Sequence, residues 1–148
     1  METPSELLEH LRAHEGCVLH PYLDPAGVPT IGYGHVIPSM DVAAISQDTA
    51  ESLLRLDVRR ARRQLLKASP AVVNATPRRQ HALIDFVFNL GIGRYRRSTL
   101  RKAVERDDWP EAGKQMRRWV YARVNGTPVR LKGLVARREV CARWLEEG

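Results

Sequence analysis

Glu15, Asp24 and Thr30 are residues whose types and spacing can do chemistry: a carboxyl, a second carboxyl after eight intervening residues, and a hydroxyl after five more. Cleavage of a glycosidic bond needs this kind of set. A protonated carboxyl protonates the departing oxygen, and a second group activates water or stabilises the developing oxocarbenium ion. Glu15 and Asp24 can supply that pair, and the Thr30 hydroxyl can hold a water molecule by hydrogen bonding. Taken singly, a helix-end glutamate and a turn aspartate are ordinary solvated groups; their joint placement is what carries weight.

The elements that must position them are legible in the pattern. Leu7, Leu8 and Leu11 recur at helical spacing after Thr3-Pro4, which predicts a helix over 4–14 that Gly16 stops. Glu15 then stands at the negative end of a helix, where that field and partial desolvation favour the protonated carboxyl of a proton donor. Over 17–35 the prolines and glycines forbid a helix, while Val18, Tyr22, Val28, Ile31 and Tyr33 suit short strands. A small antiparallel sheet with tight turns follows, with Asp24 hydrated in a turn and Thr30 on a strand.

Beyond Ser46 the pattern turns helical. Leu54, Val58, Ala61 and Leu65 define a helix to about Ala68, with Ser46 or Asp48 as its cap. Thr76-Pro77 opens a second, more apolar helix through Ala82, Leu83, Phe86, Val87 and Leu90, which Gly91 ends. Shorter helices are predicted over 99–105, 110–121 and 134–146, with loops around Gly93 and Gly126. A helix, a small sheet and then helices only make an α+β fold, with a cleft between a sheet lobe and a larger helical lobe as the natural binding site.

The 148 residues, 43% hydrophobic and 28% charged, suit one compact domain and a monomer rather than a disordered chain. A net charge of +7 draws the surface to polyanions without choosing among them. Cys17 and Cys141 lie 124 positions apart and form no metal-binding or redox pair, so no metal or other cofactor is expected. Buried free thiols are the expected state, with a disulfide as the alternative. A secretory signal needs a positive start, an apolar stretch and a small-residue cleavage site, whereas glutamates recur from Met1 to Glu15, and no stretch is long enough to span a bilayer. A cytoplasmic site of synthesis and storage is expected.

The stretch TIGYGH at 30–35, placed behind Glu15 and Asp24, resembles the catalytic Glu/Asp/Thr signature of glycoside hydrolase family 24, the phage-type lysozymes. The resemblance extends in order through ALIDFVFNLGIG at 82–93, STLRK at 98–102, WPEA from Trp109, and GLVARRE at 133–139. It departs over 91–97, where this chain is shorter. The resemblance implies a peptidoglycan muramidase for host lysis, with Glu15 as proton donor, and Asp24 and Thr30 placing water for an inverting displacement at the β-1,4 bond after N-acetylmuramic acid. It also implies that Phe88, Asn89, Thr99 and Gln115 line the glycan site, that Arg137, taken over Arg138, lies against the glutamate, and that His35 pairs with Asp57 in a structural role. Storage in the host cytoplasm, holin-dependent release and action in the periplasm belong to the same implied picture.

Two other functions compete. The run Arg59, Arg60, Arg62 and Arg63 suits a nucleic-acid-binding protein, but that reading leaves the Glu15, Asp24 and Thr30 spacing unexplained and finds no nucleic-acid motif beside the charge. Nucleic acid is therefore not the expected partner. A lytic transglycosylase cuts the same bond without water and works with a lone glutamate, so the presence of Asp24 and Thr30 favours hydrolysis.

Overall fold

The structure, a computed structural model, describes residues 4–148. The expected Thr3 cap lies outside the described residues. The chain forms two compact units, Met1–Arg60 and Ala61–Gly148.

In the first unit, helix α1 (Ser5–Glu15) buries Leu7, Leu8 and Leu11, the spacing that predicted it. Gly16 closes it at φ 68°, a left-handed value that costs glycine little, and donates its N–H to the Arg12 carbonyl at 3.2 Å. Three strands follow, β1 (Val18–Leu23), β2 (Pro29–Gly32) and β3 (His35–Val36), antiparallel in that order. Tyr22 stands opposite Thr30, Ile31 stands opposite His35, and the register shifts between Val18 and Tyr22. Tyr33, expected on a strand, forms the turn with Gly34, because Gly32 and Gly34 at φ 67° and 72° reverse the chain there. Helix α2 (Gln47–Ala68) starts at Ser46, whose hydroxyl accepts the Thr49 N–H at 3.1 Å.

The second unit is helical apart from one hairpin. After the end of α2 comes a short 3-10 turn (Pro70–Asn74), then α3 (Pro77–Leu90), which is capped by the Thr76 hydroxyl accepting from the Arg79 N–H. Every residue from His81 to Val87 is buried, as befits a helix apolar on nearly all sides. Helices α4 (Ile92–Arg97), α5 (Thr99–Glu105) and α6 (Trp109–Arg117) precede strands β4 (Tyr121–Val124) and β5 (Thr127–Arg130), and α7 (Lys132–Glu147) packs against α3 and α6.

Three expectations are corrected here, while the α+β class stands. Gly93 lies inside α4 and not in a loop, because Gly91 at φ 89° both ends α3 and begins the next helix. The helix expected over 110–121 stops at Arg117, and before α7 the strands β4 and β5 form a hairpin around Asn125 and Gly126, at φ 51° and 80°. Asn-Gly at two positive φ values is the preferred two-residue hairpin turn, so the signal was present. Both cysteines are free, yet only Cys141 is buried; Cys17 follows the exposed helix stop Gly16 and is exposed itself.

Candidate active site

In the first unit the half-buried Glu15 is the last residue of α1, so its side chain is carried by a helix whose end Gly16 fixes. Its carboxylate rests against the β2–β3 turn: a methyl group added at Gly34 would come within 3.0 Å of Glu15 Oε2. Gly34 is thus required twice, by its φ of 72° and by the carboxylate packed against it. If Glu15 is the reacting acid, Gly34→Ala is expected to lower turnover roughly 3- to 10-fold, because the carboxylate must give way by a few tenths of an ångström, less than the 1 Å misplacement that costs about 100-fold. Gly126→Ala carries a similar backbone penalty at φ 80° but meets nothing within 4 Å. Steady-state kinetics on both variants check this; equal losses in the two would assign the effect to backbone strain alone.

Asp24 begins the turn that joins β1 to β2. Its Oδ1 accepts from the N–H groups of Ala26 at 2.9 Å and Val28 at 2.8 Å, while its own N–H donates to the Val28 carbonyl at 3.0 Å. A turn built on its own aspartate holds that carboxylate still. Among the described residues nothing donates to Oδ2. Thr30, 3% exposed, donates its hydroxyl proton to the Val28 carbonyl at 2.8 Å, which leaves the oxygen lone pairs to accept.

Tyr22 lies within electrostatic reach of both carboxylates. Burial pushes its phenol up, and the charges of Glu15 and then Asp24 push it further, so both carboxylates act on one side chain.

Behind the turn lies a network that sequence reasoning missed. Arg12, three residues before Glu15, grips Glu51 with Nε at 3.0 and 3.1 Å and Nη2 at 2.6 Å. Tyr33 donates to Glu51 at 3.0 Å, and Gln47 donates to the Tyr33 oxygen at 2.9 Å. The end of α1, the β2–β3 turn and the start of α2 are thereby tied together. His35 Nδ1 meets Asp57 Oδ2 at 2.8 Å, so the structure brings that expected pair together and fastens β3 to α2. The Arg12 hydrogen bonds hold the Glu51 carboxyl below its ordinary value of 4.5. A carboxyl whose pKa is lower in the folded chain contributes stability that is whole above its ordinary pKa and is lost as pH falls through the folded value. Below about pH 4.5 the melting temperature of the wild type is therefore expected to fall more steeply with acid than that of Glu51→Gln, as a calorimetric pH series would read.

The remaining expected positions lie in the second unit. Arg137 and Arg138, on the inward side of α7, are 4% and 0% exposed. Both converge on Asp85, which sequence reasoning did not single out. Arg137 donates to it through Nε at 3.0 and 3.2 Å and Nη2 at 2.8 Å, Arg138 Nη1 lies 3.7 Å from it, and the Cys141 thiol donates at 3.3 Å. A lone carboxylate inside the run ALIDFVFNL was the available signal, since a fully buried charge requires a partner. Arg138 also donates to the Trp119 carbonyl and to Asn89 Oδ1, so the expected glycan contact Asn89 has a structural bond as well. Phe88 is half-buried near the end of α3. The Thr99 hydroxyl donates to Gln115 Oε1 at 2.6 Å, which places those two together.

The family model for phage lysozyme matches residues 12–140. The chain is 33% identical over 129 residues to an endolysin of Acyrthosiphon pisum secondary endosymbiont phage 1, covering 87% of each protein. It is 34% identical over 141 residues to a SAR-endolysin of Escherichia phage Mu, covering 94% of this chain and 76% of that one. Among solved structures it is similar to the muramidase domain of SpmX from Asticaccaulis excentricus, with a TM-score of 0.82, 26% identity and 97% of each chain covered. It is also similar to the endolysin of Escherichia coli O157:H7 phage FAHEc1, with a TM-score of 0.81, 29% identity, and 98% and 93% of the two chains covered.

Proposed function

This chain belongs to the phage lysozyme family and is a lysozyme-type glycosidase, and we propose that it hydrolyses the β-1,4 bond between N-acetylmuramic acid and N-acetylglucosamine in peptidoglycan, with inversion. Glu15 is the general acid that protonates the departing oxygen. Asp24 is the base, and with Thr30 it holds the attacking water.

The observation that carries this reading is the direction of the hydrogen bonds around Val28. With its proton committed to the Val28 carbonyl, Thr30 offers the water an acceptor, and Asp24, pinned through Oδ1, offers another at Oδ2. A water that donates to both directs a lone pair away from them, toward an anomeric carbon. As that lone pair attacks, Asp24 takes the water proton, Glu15 gives its own to the leaving oxygen, and the configuration inverts. Such a mechanism needs the carboxyls about 6.5 to 9.5 Å apart, leaving room for the water. A transglycosylase would have no use for the water site that Asp24 and Thr30 make.

In this reading the whole chain, 1–148, acts as one catalytic domain and as a monomer, and Phe88, Asn89, Thr99 and Gln115 serve the glycan. The net charge of +7 favours a wall bearing peptide carboxylates. The enzyme waits in the host cytoplasm, passes a holin-like pore at lysis and acts on the wall in the periplasm. Mass spectrometry of muropeptides released from Gram-negative peptidoglycan tests the chemistry. Reducing N-acetylmuramic acid ends are expected; 1,6-anhydro ends would make the protein a transglycosylase, and uncut glycan would refute the reading.

A further inference from the structure

We infer that Tyr22 is a further substrate-contacting residue, its phenol hydroxyl donating a hydrogen bond to a neutral sugar oxygen of the glycan bound at Glu15 and Asp24. The inference rests on the reading of those two carboxylates as the catalytic pair.

Three observations support it. First, Tyr22 pairs directly with Thr30 across β1 and β2, and directly opposed residues of an antiparallel pair project from the same face. Asp24 follows two positions later, and its N–H bond to the Val28 carbonyl continues the ladder, so alternation brings it to that face too. The phenol therefore shares a surface with the proposed water site.

Second, no described protein group bonds the hydroxyl. Of the four tyrosines, Tyr33 is bonded to Glu51 and Gln47, Tyr95 is bonded to Ser69, and Tyr121 is 60% exposed to water. Tyr22 is half-buried, and among the described residues its hydroxyl has no hydrogen-bond partner. A donor that the described protein groups leave open, on the face that carries Asp24 and Thr30, is available to a ligand.

Third, the chemistry selects the ligand. The Asp24 carboxylate repels an anion, and burial raises the phenol first with carboxylate charge adding to it, which suits a neutral donor and not a phenolate nucleophile. Sugar hydroxyl and acetamido oxygens are neutral acceptors, and the ring gives the sugar an apolar surface beside the bond. The donor thereby orients the sugar while Glu15 and Asp24 carry out the proton transfers.

Tyr22→Phe deletes the hydroxyl and keeps the ring. It is expected to lower kcat/KM on isolated glycan strands about tenfold, the effect of one neutral hydrogen bond, with an unchanged melting temperature. Glycan-strand affinity, measured on Glu15→Gln and on the Glu15→Gln, Tyr22→Phe double variant, is expected to be about tenfold weaker in the second. A purely structural role would instead lower the melting temperature and leave that affinity alone. Equal affinities together with a wild-type kcat/KM in Tyr22→Phe would overturn the inference. Undiminished cleavage by Glu15→Gln would overturn the catalytic reading beneath it, so the two failures are distinguishable.

Discussion

Glu15→Gln is expected to lower the rate of glycan cleavage by about 100- to 10,000-fold, the usual contribution of a general acid, while the protein stays folded. The amide has nearly the shape of the carboxyl, so it can rest against Gly34 as Glu15 does, where anything larger at position 34 would collide. What is lost is the proton. Asp24 and Thr30 keep their bonds to the Val28 turn, so in the proposed mechanism the water site is preserved while the departing sugar oxygen leaves unprotonated. Muropeptide release by the variant and the wild type, with melting temperatures alongside, reads the effect. A variant that keeps more than a tenth of wild-type activity would remove Glu15 from the acid role.

Asp85→Ala is expected to destabilise the fold by about 3–5 kcal/mol, the cost of removing one member of a buried ion pair. Asp85 is completely buried and receives the guanidinium of Arg137 in a two-pronged contact, with Arg138 at 3.7 Å. Removing it leaves two buried cations facing a cavity. In the wild type, burial and the charge of Asp85 hold the neighbouring Cys141 thiol well above its usual range, so Asp85 is the acid that faces the two arginines. Asp85→Asn, which keeps an acceptor but not the charge, should cost less. Urea denaturation of both variants measures the difference, and a loss below about 1 kcal/mol for the alanine variant would show that the cluster tolerates uncompensated charge.

How far the chain could be read follows from the range of the interactions involved. Helix starts were readable because a cap acts within one turn: Ser46 and Thr76 each accept from an N–H three residues ahead. Glu15, Asp24 and Thr30 were readable for the same reason, since one helix end and one hairpin carry all three, and strand pairing over a few residues sets their faces. The hairpin over 121–130 was equally local, signalled by Asn125-Gly126, but the helix-forming residues before it suggested a longer helix than forms.

Contacts across long separations were a different matter. Arg12 and Glu51 are 39 positions apart, and Arg137 and Asp85 are 52 apart. Nothing in composition or periodicity says which arginine faces which acid, because that depends on how helices rotate and slide as they pack. The exposure of Cys17 and the openness of the Tyr22 hydroxyl likewise depend on what surrounds them. The sequence by itself determined most of the helices, the first sheet, the α+β class and the local order of Glu15, Asp24 and Thr30, since backbone preferences and period act over a few residues. Only the tertiary structure decided the partners of the buried arginines, the bracing of the Glu15 helix by Glu51 and the fit of Gly34 to Glu15, because packing chooses among pairings that the local rules leave equal.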